Sequence, residues 1–352
     1  MRRVILYLAF YFSFANCFCQ DVHFAQSSFI PQLINPATVG VFNGWERVTL
    51  SNRNQWLGID KSYLTSQFSL DMNLLKNDNG KQNSYLGLGI SFYNDVAGEG
   101  RFGINHLNFS VSGIIPVAEG QTVSAAVQIG GVQRSGNTSN LTWGNQFNGS
   151  AFDQDINSNE PAGNTSFFHE DFGAGVYYNY TGKKNALVRN EITKLYGGIA
   201  VFHLTQPKLK YALGNEDKLK AKLILHTGAQ IDIPKTEWAS EASILFINQG
   251  PHQQLLINAM MKARLKNGTK YTGIYTESYF GFGLIHRLKD AIAPQVLLEF
   301  GSCKIGLLYE LAVSQINQAS YGGFEISFQW ANTRNALFKS RGSKGYIKTK
   351  NM

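Results

Sequence analysis

Fourteen stretches of this chain alternate apolar with polar residues, most over roughly ten positions. In one, His106, Asn108, Ser110 and Ser112 interleave with Leu107, Phe109 and Val111. In the next, Thr122, Ser124, Ala126 and Gln128 interleave with Val123, Ala125, Val127 and Ile129. Successive side chains of a strand point to opposite faces, so each stretch makes one greasy face and one wet face. The stretches fall near 47–55, 63–73, 84–94, 103–116, 121–134, 166–181, 194–205, 219–233, 236–248, 253–266, 276–288, 291–300, 303–315 and 321–331. In the second, Tyr63, Thr65, Gln67, Ser69 and Asp71 share a face opposite Leu64, Phe68, Leu70 and Met72. The pattern predicts an all-β fold: a transmembrane antiparallel β-barrel of about 14 strands, of outer-membrane type, with lipid outside and a polar lumen. In hydrocarbon each unpaired backbone group costs several kcal/mol, so such a sheet must close on itself.

The connections fit closure. Those at 117–120 and at Pro234-Lys235 are tight, whereas 135–165 is long and rich in Asn, Gly and Ser. Barrels of this type join short periplasmic turns to longer outer loops, and an even strand count puts both ends in the periplasm. No apolar run after the first twenty residues approaches the length of a spanning helix.

Composition agrees. Charged residues make up 16% of the chain, well below the level of ordinary soluble domains, while Phe, Tyr and Gly are abundant at 24, 16 and 35 copies. Aromatic side chains suit membrane interfaces and glycines relieve crowding in a curved sheet.

The first residues read as a leader. Arg2 and Arg3 precede the apolar run 4–14, and Cys17 and Cys19 supply small side chains before Gln20, which predicts a signal peptide over 1–19. Lipidation of either cysteine is the weaker reading, because neither follows a Leu-small-small lead-in. Cleavage after Cys19 leaves Cys303 alone, so no intrachain disulfide is expected. Residues 20–44, with Pro31 and Pro36, form an irregular periplasmic lead-in; 45–331 form the barrel; 332–352 form a basic periplasmic tail.

Charge is concentrated in that tail. Of 32 basic residues, two lie in the leader and six, Arg334, Lys339, Arg341, Lys344, Lys348 and Lys350, lie in the tail; the remaining 24 balance 24 acidic residues. A neutral body offers no basic face for nucleic acid. The tail is a solvated end or, with Phe338, Tyr346 and Ile347 among its charges, a docking peptide for acidic periplasmic surfaces or headgroups.

Two blocks resemble a known family. HFAQSSFIPQLINPATVG, at 23–40, is similar to the opening of the PorP/SprF family of the type IX secretion system, with the motif at Asn35, Pro36 and Ala37 followed by Gly40. RNQWLGIDKSYLTSQFSLD, at 53–71, is similar to the family's next block through Arg53, Asn54, Gln55, Trp56, Tyr63, Thr65 and Asp71. Ala25 stands where Ser is common and Leu57 where Pro often follows the Trp. LTWGNQF, YFGFGLIHRLKDAIAPQVLLEF and YGGFEISFQW resemble a central loop and the closing strands. The resemblance implies a Bacteroidota outer-membrane protein of type IX export and gliding motility. Its implied partners are outer-membrane lipid, secretion and gliding components and a large exported adhesin.

Candidate chemistry is sparse. Arg47, Arg53 and Asp71, then Glu299, Lys304, Glu310 and Glu325, fall on polar faces of the first and last strands. They either contact a passing polypeptide or fill the barrel as an ion-pair network, and the second reading is the general case. Asn35-Pro36-Ala37 either docks the lead-in at the barrel mouth or is a simple turn. Asp153, Asp155, Asn157 and Asn159 mimic the first calcium ligands of a loop, but Ser158 occupies the required Gly position and Asn164 that of the bidentate Glu. His169, Glu170 and Asp171 invite a catalytic reading, yet the sequence holds neither a zinc-binding His-Glu-x-x-His nor a Gly-x-Ser-x-Gly elbow. The expectation is therefore a non-enzymatic scaffold with no cofactor and no metal; a passive porin-like channel and a barrel enzyme are its rivals.

Overall fold

The computed structural model describes residues 21–57, 63–76, 83–139, 141–159, 164–185, 190–210, 217–266, 278–313 and 322–333. The leader with Cys17 and Cys19, and the tail residues Arg334, Lys339, Arg341, Lys344, Lys348 and Lys350, lie outside the described residues.

The strands are β1 (Glu46–Gln55), β2 (Tyr63–Leu74), β3 (Tyr85–Ala97), β4 (Phe102–Ala118), β5 (Gln121–Asn137), β6 (Asn164–Asn185), β7 (Asn190–Phe202), β8 (Lys208–Leu209), β9 (Asp217–Lys218), β10 (Lys222–Asp232), β11 (Trp238–Gln249), β12 (His252–Lys266), β13 (Ser278–Arg287), β14 (Ala291–Phe300), β15 (Cys303–Ala312) and β16 (Gly323–Asn332). All but β8 and β9 form one closed antiparallel barrel of fourteen strands. The two-residue strands β8 and β9 pair with each other in the connection between β7 and β10. At the seam, β1 and β16 pair without interruption from Glu46↔Asn332 to Gln55↔Gly323, which leaves no open edge. No described helix is long and apolar enough to cross a membrane.

Each predicted stretch is a barrel strand, with one systematic difference in length. The β5–β6 ladder runs from Gln121↔Tyr180 up to Asn137↔Asn164, and β6 continues to Asn185↔Asn190 against β7. Backbone pairing carries these strands beyond their apolar bands, where alternation no longer marks them.

The exterior is apolar. Phe109 and Val127 keep 52% and 66% of their surface exposed, while their chain neighbours Ser110 and Gln128 keep 2% and 5%. One face therefore meets lipid and the other the lumen.

The expectation of a polar lumen needs correction over half of the wall. Inward side chains of β2 and β4 are polar: Thr65, Gln67, Ser69, Asp71, His106, Asn108, Ser110 and Ser112 are all buried. Those of β10 to β15 include Ile224, Leu245, Leu256, Ile285, Ala293 and Leu308, which form a buried apolar cluster. Strand β14 carries apolar residues on both faces, with Ile292 and Val296 outward and Ala293 and Leu297 inward beside Gln295 and Glu299. Apolar residues line this side because protein, not water, lies against them.

Connections at the two ends differ. The end from which β1 leaves carries connections from 119–120 and 301–302 up to 75–84 and 267–277, and the opposite end carries the two longest, 138–163 and 203–221, beside tight turns such as 250–251. Gly120, at φ +70°, makes the tightest turn possible; a Cβ there would lie 2.4 Å from the Thr181 carbonyl oxygen.

Candidate functional site

Residues 21–44 occupy the lumen. They contain only single turns of helix, at Ser27–Phe29, Pro31–Ile34 and Pro36–Thr38, so most of their backbone groups need partners from the wall. A fourteen-stranded barrel is too wide for wall side chains alone to fill. The segment supplies the missing core.

Its path runs the full height of the barrel. At the end bearing the long connections, the Asp21 carboxylate meets the Lys222 ammonium and lies 3.2 Å from His203 Nε2. Burial works against that charge, but Lys222 and His203 outweigh it and hold the Asp21 carboxyl well below the usual carboxylate range. His203 Nδ1 is 2.9 Å from Asp171 Oδ1, and His106 reaches both Asp171, at 3.5 Å, and the Tyr93 hydroxyl, at 3.0 Å. A cavity of about 30 Å³, room for a single water, remains beside this cluster.

One step further in, the Arg53 guanidinium donates to the His23 carbonyl and, at 2.7 Å, to Glu310. Arg287 completes the triad at 3.1 Å from Glu310. Glu325 accepts the backbone N–H groups of Ala25 and Gln26, both at 2.9 Å. A carboxylate that accepts two amides holds the start of the turn Ser27–Phe29 in the way a helix cap does.

At mid-height Asn35 is fully buried and bonds in several directions. Its Nδ2 donates to the carbonyls of Val176, at 2.9 Å, and Ile199, at 3.4 Å, and contacts His226 Nε2 at 3.1 Å. Its Oδ1 accepts the Ala37 N–H at 2.9 Å, which starts the turn at Pro36. Docking to the wall and initiating a turn are thus combined in one side chain.

Toward the other end the wall reaches in. Ser124 and Ser112 donate to the carbonyls of Ala37 and Val39, each at 2.6 Å. Asp71 accepts the Gly40 N–H at 2.9 Å and binds Arg47 through both oxygens at 2.9 and 2.8 Å. Arg47 also donates to the Thr38 carbonyl at 3.2 Å, and Asn73 donates to that of Gly44 at 2.8 Å. The segment then turns into β1.

Its two sides match the two halves of the wall. Phe24, Ile30 and Ile34 pack on the apolar cluster of β10 to β15, and Phe29 packs on Met260 and Leu297. Carbonyls, Gln32 and Asn35 face the polar strands. Wall glycines make room: an added Cβ at Gly87 would lie 2.5 Å from the Val39 carbonyl oxygen, at Gly198 2.5 Å from Asn35, and at Gly306 2.6 Å from Phe29.

The remaining expected residues fall on the same wall or at its rim. Glu299 and Lys304 are cross-strand partners 3.7 Å apart, joined by Lys262, which lies 3.1 Å from Glu299 and 2.5 Å from Glu241. Arg264 and Asp232 form a further buried pair at 2.8 Å. Thr65 donates to Asp95 at 2.5 Å. Asn54 and Gln55 end β1, and Trp56, at φ +62°, sets its ring edge-on to Tyr63, 4.6 Å between centroids. Sequence reasoning missed Asp21, His203, Lys222, Glu241, Arg264 and Arg287. Lys262 and Arg264 carried a signal, since they alternate with the apolar Met261, Ala263 and Leu265 on one strand. Asp21 carried none, because it lies outside every alternating stretch, and His203 stands near the end of the stretch 194–205, just past the last residue of β7.

Other candidates separate. His169 and Asp171 both point inward but do not pair; Arg134 Nε lies 3.3 Å from His169, and Asp171 serves His203. In the loop, Asp153 Oδ1 accepts the Asp155 N–H and Asn157 Oδ1 the Asn159 N–H, both at 3.0 Å, so these side chains shape turns.

A closed barrel with a lipid-facing apolar exterior and a lumen filled by its own N-terminal segment defines an outer-membrane β-barrel protein. Residues 16–330 match the family described as type IX secretion system membrane protein PorP/SprF, and the chain belongs to that family. Its place is the outer membrane. No curated protein matches the sequence. Among solved structures, the toluene transporter TbuX of Ralstonia pickettii aligns with a TM-score of 0.45 at 12% identity, covering 86% of this chain and 94% of that one. The monoaromatic hydrocarbon channel CymD aligns at 0.44 and 10% identity, covering 88% and 93%. BamA from Haemophilus ducreyi aligns at 0.43 and 7% identity, covering 82% and 70%.

Proposed function

We propose that this protein is a non-enzymatic scaffold of type IX secretion and gliding that anchors an exported surface adhesin at the outer membrane. Membership of the PorP/SprF family supports its association with secretion components. The observation that carries the choice of scaffold over channel is the occupied lumen: residues 21–44 bond to β1–β7 and pack on β10–β15. A barrel filled along its height offers rigid loops, not a path for solutes. Its periplasmic end, with the basic tail, is the natural contact for periplasmic machinery, and its long connections face the exported partner.

The test is a deletion strain. Scaffolding predicts that cells lacking the protein export the adhesin but fail to retain it, so that it moves from the cell fraction to the medium and gliding stops. Normal retention and gliding in that strain would overturn the reading. A strain defective only in uptake of small solutes would instead support the channel.

A further inference from the structure

The lumen segment is threaded with its N-terminal end toward the long connections. Asp21 is bound to Lys222, the first residue of β10, and to His203, just past the end of β7, both at that end. Gly40 is bound to Asp71 near the opposite end, and Asn73, at that same end, donates to the Gly44 carbonyl. Between them His23 meets β1, Asn35 meets β6 and β7, Ala37 meets β5 and Val39 meets β4. The direction is thus fixed by contacts at both ends and is opposite to that of β1.

Threading in this sense separates the two chain ends. The C-terminal end of β16 lies where β1 begins, Asn332 opposite Glu46, at the end away from the two longest connections, 138–163 and 203–221. Asp21 lies at the other mouth. A chain preceding Asp21 cannot return through a lumen already filled by residues 22–44; the free space beside Asp21 holds one water. The end with longer connections faces outward in barrels of this type.

We infer that the mature amino terminus is displayed on the cell surface, although the expectation for an even-stranded barrel places both ends in the periplasm. Asp21, the first described residue, stands at the mouth that carries the two longest connections. This inference is independent of the scaffold reading, since a channel or an enzyme could be threaded in the same way.

The test uses cysteine sidedness in whole cells carrying Cys303→Ser, probed with a membrane-impermeant maleimide. Gln20→Cys reports the amino terminus, Asn148→Cys the outer loop and Glu119→Cys the turn at the opposite end. Gln20→Cys and Asn148→Cys are expected to label equally before and after permeabilisation of the outer membrane, and Glu119→Cys only after it. Labelling of Gln20→Cys only after permeabilisation overturns the inference. If Gln20→Cys fails to assemble, a short epitope inserted directly ahead of Asp21 is read by antibody on intact cells. Binding supports the inference, and binding only after permeabilisation overturns it.

Discussion

Asn35 and Gly175 fit so closely that a single added carbon at Gly175 would sit 2.1 Å from Asn35 Oδ1. The residue at 175 is therefore set by a side chain about 140 positions earlier in the chain, which itself donates to the carbonyl of Val176, the next residue of β6. Neither contact exists in a barrel without its lumen segment.

Replacement of Gly175 by Ala should thus act on the segment and not on the sheet. Overpacking of a well-filled interior costs about 1–3 kcal/mol. Gly175→Ala is expected to lower the temperature at which the folded barrel loses its fast gel mobility. Gly113→Ala, where a Cβ meets nothing within 4 Å, should leave that temperature unchanged. Equal behaviour of the two variants would show that the segment contributes nothing to barrel stability.

Arg47 and Asp71 share a buried bidentate pair that also holds Gly40. Arg47→Met strands a buried carboxylate, and the expected loss is about 3–5 kcal/mol. Removing both charges, with Arg47→Met and Asp71→Leu together, replaces the stranded charge by an unpartnered Gly40 amide, a loss of about 1–3 kcal/mol, while the Thr38 carbonyl loses its Arg47 donor in both variants alike. The double variant should therefore be more stable than Arg47→Met alone in a urea titration. Simple additivity of the two single losses would refute the pairing.

The filled lumen makes an electrical prediction. Purified protein in planar bilayers should show no steady conductance. A variant lacking residues 21–40, refolded and confirmed as a barrel by its strand content, should open stable pores. Large steady pores in the intact protein would contradict the filled lumen and favour the porin-like reading.

Asp21 gives the outer anchor a pH dependence. Its folded pKa lies below its ordinary value, so its contribution is fully present above the unfolded pKa and is lost as pH falls through the folded one. Asp21→Asn should destabilise the protein at pH 7, and the gap from the unaltered protein should close progressively below about pH 4. A gap that is constant from pH 7 to pH 3 would place the effect elsewhere.

The strands were legible because their pattern is local. Leu107 to Ser112 and Val123 to Ile129 state which face meets lipid, and a sheet with one such face has few registers. The ion pairs were partly legible for the same reason. Arg47 and Asp71 are register partners on adjacent strands, as are Glu299 and Lys304. What misled was the lumen, where Ile224, Leu245 and Ile285 face inward on strands that also carry apolar residues outward. Period two marks a face only when the faces differ, and β14 carries apolar residues on both.

A closed barrel of alternating strands follows from local pattern alone, because side-chain period and the need to pair every backbone group act over a few residues at a time. The same pattern also places an irregular segment before the first strand. That this segment fills the barrel, and in which direction, depends on contacts made in three dimensions. Asp21 finds Lys222, Asn35 finds Val176 and Glu325 finds Ala25 across separations of 141 to 300 positions, and no local period encodes a fit of that range.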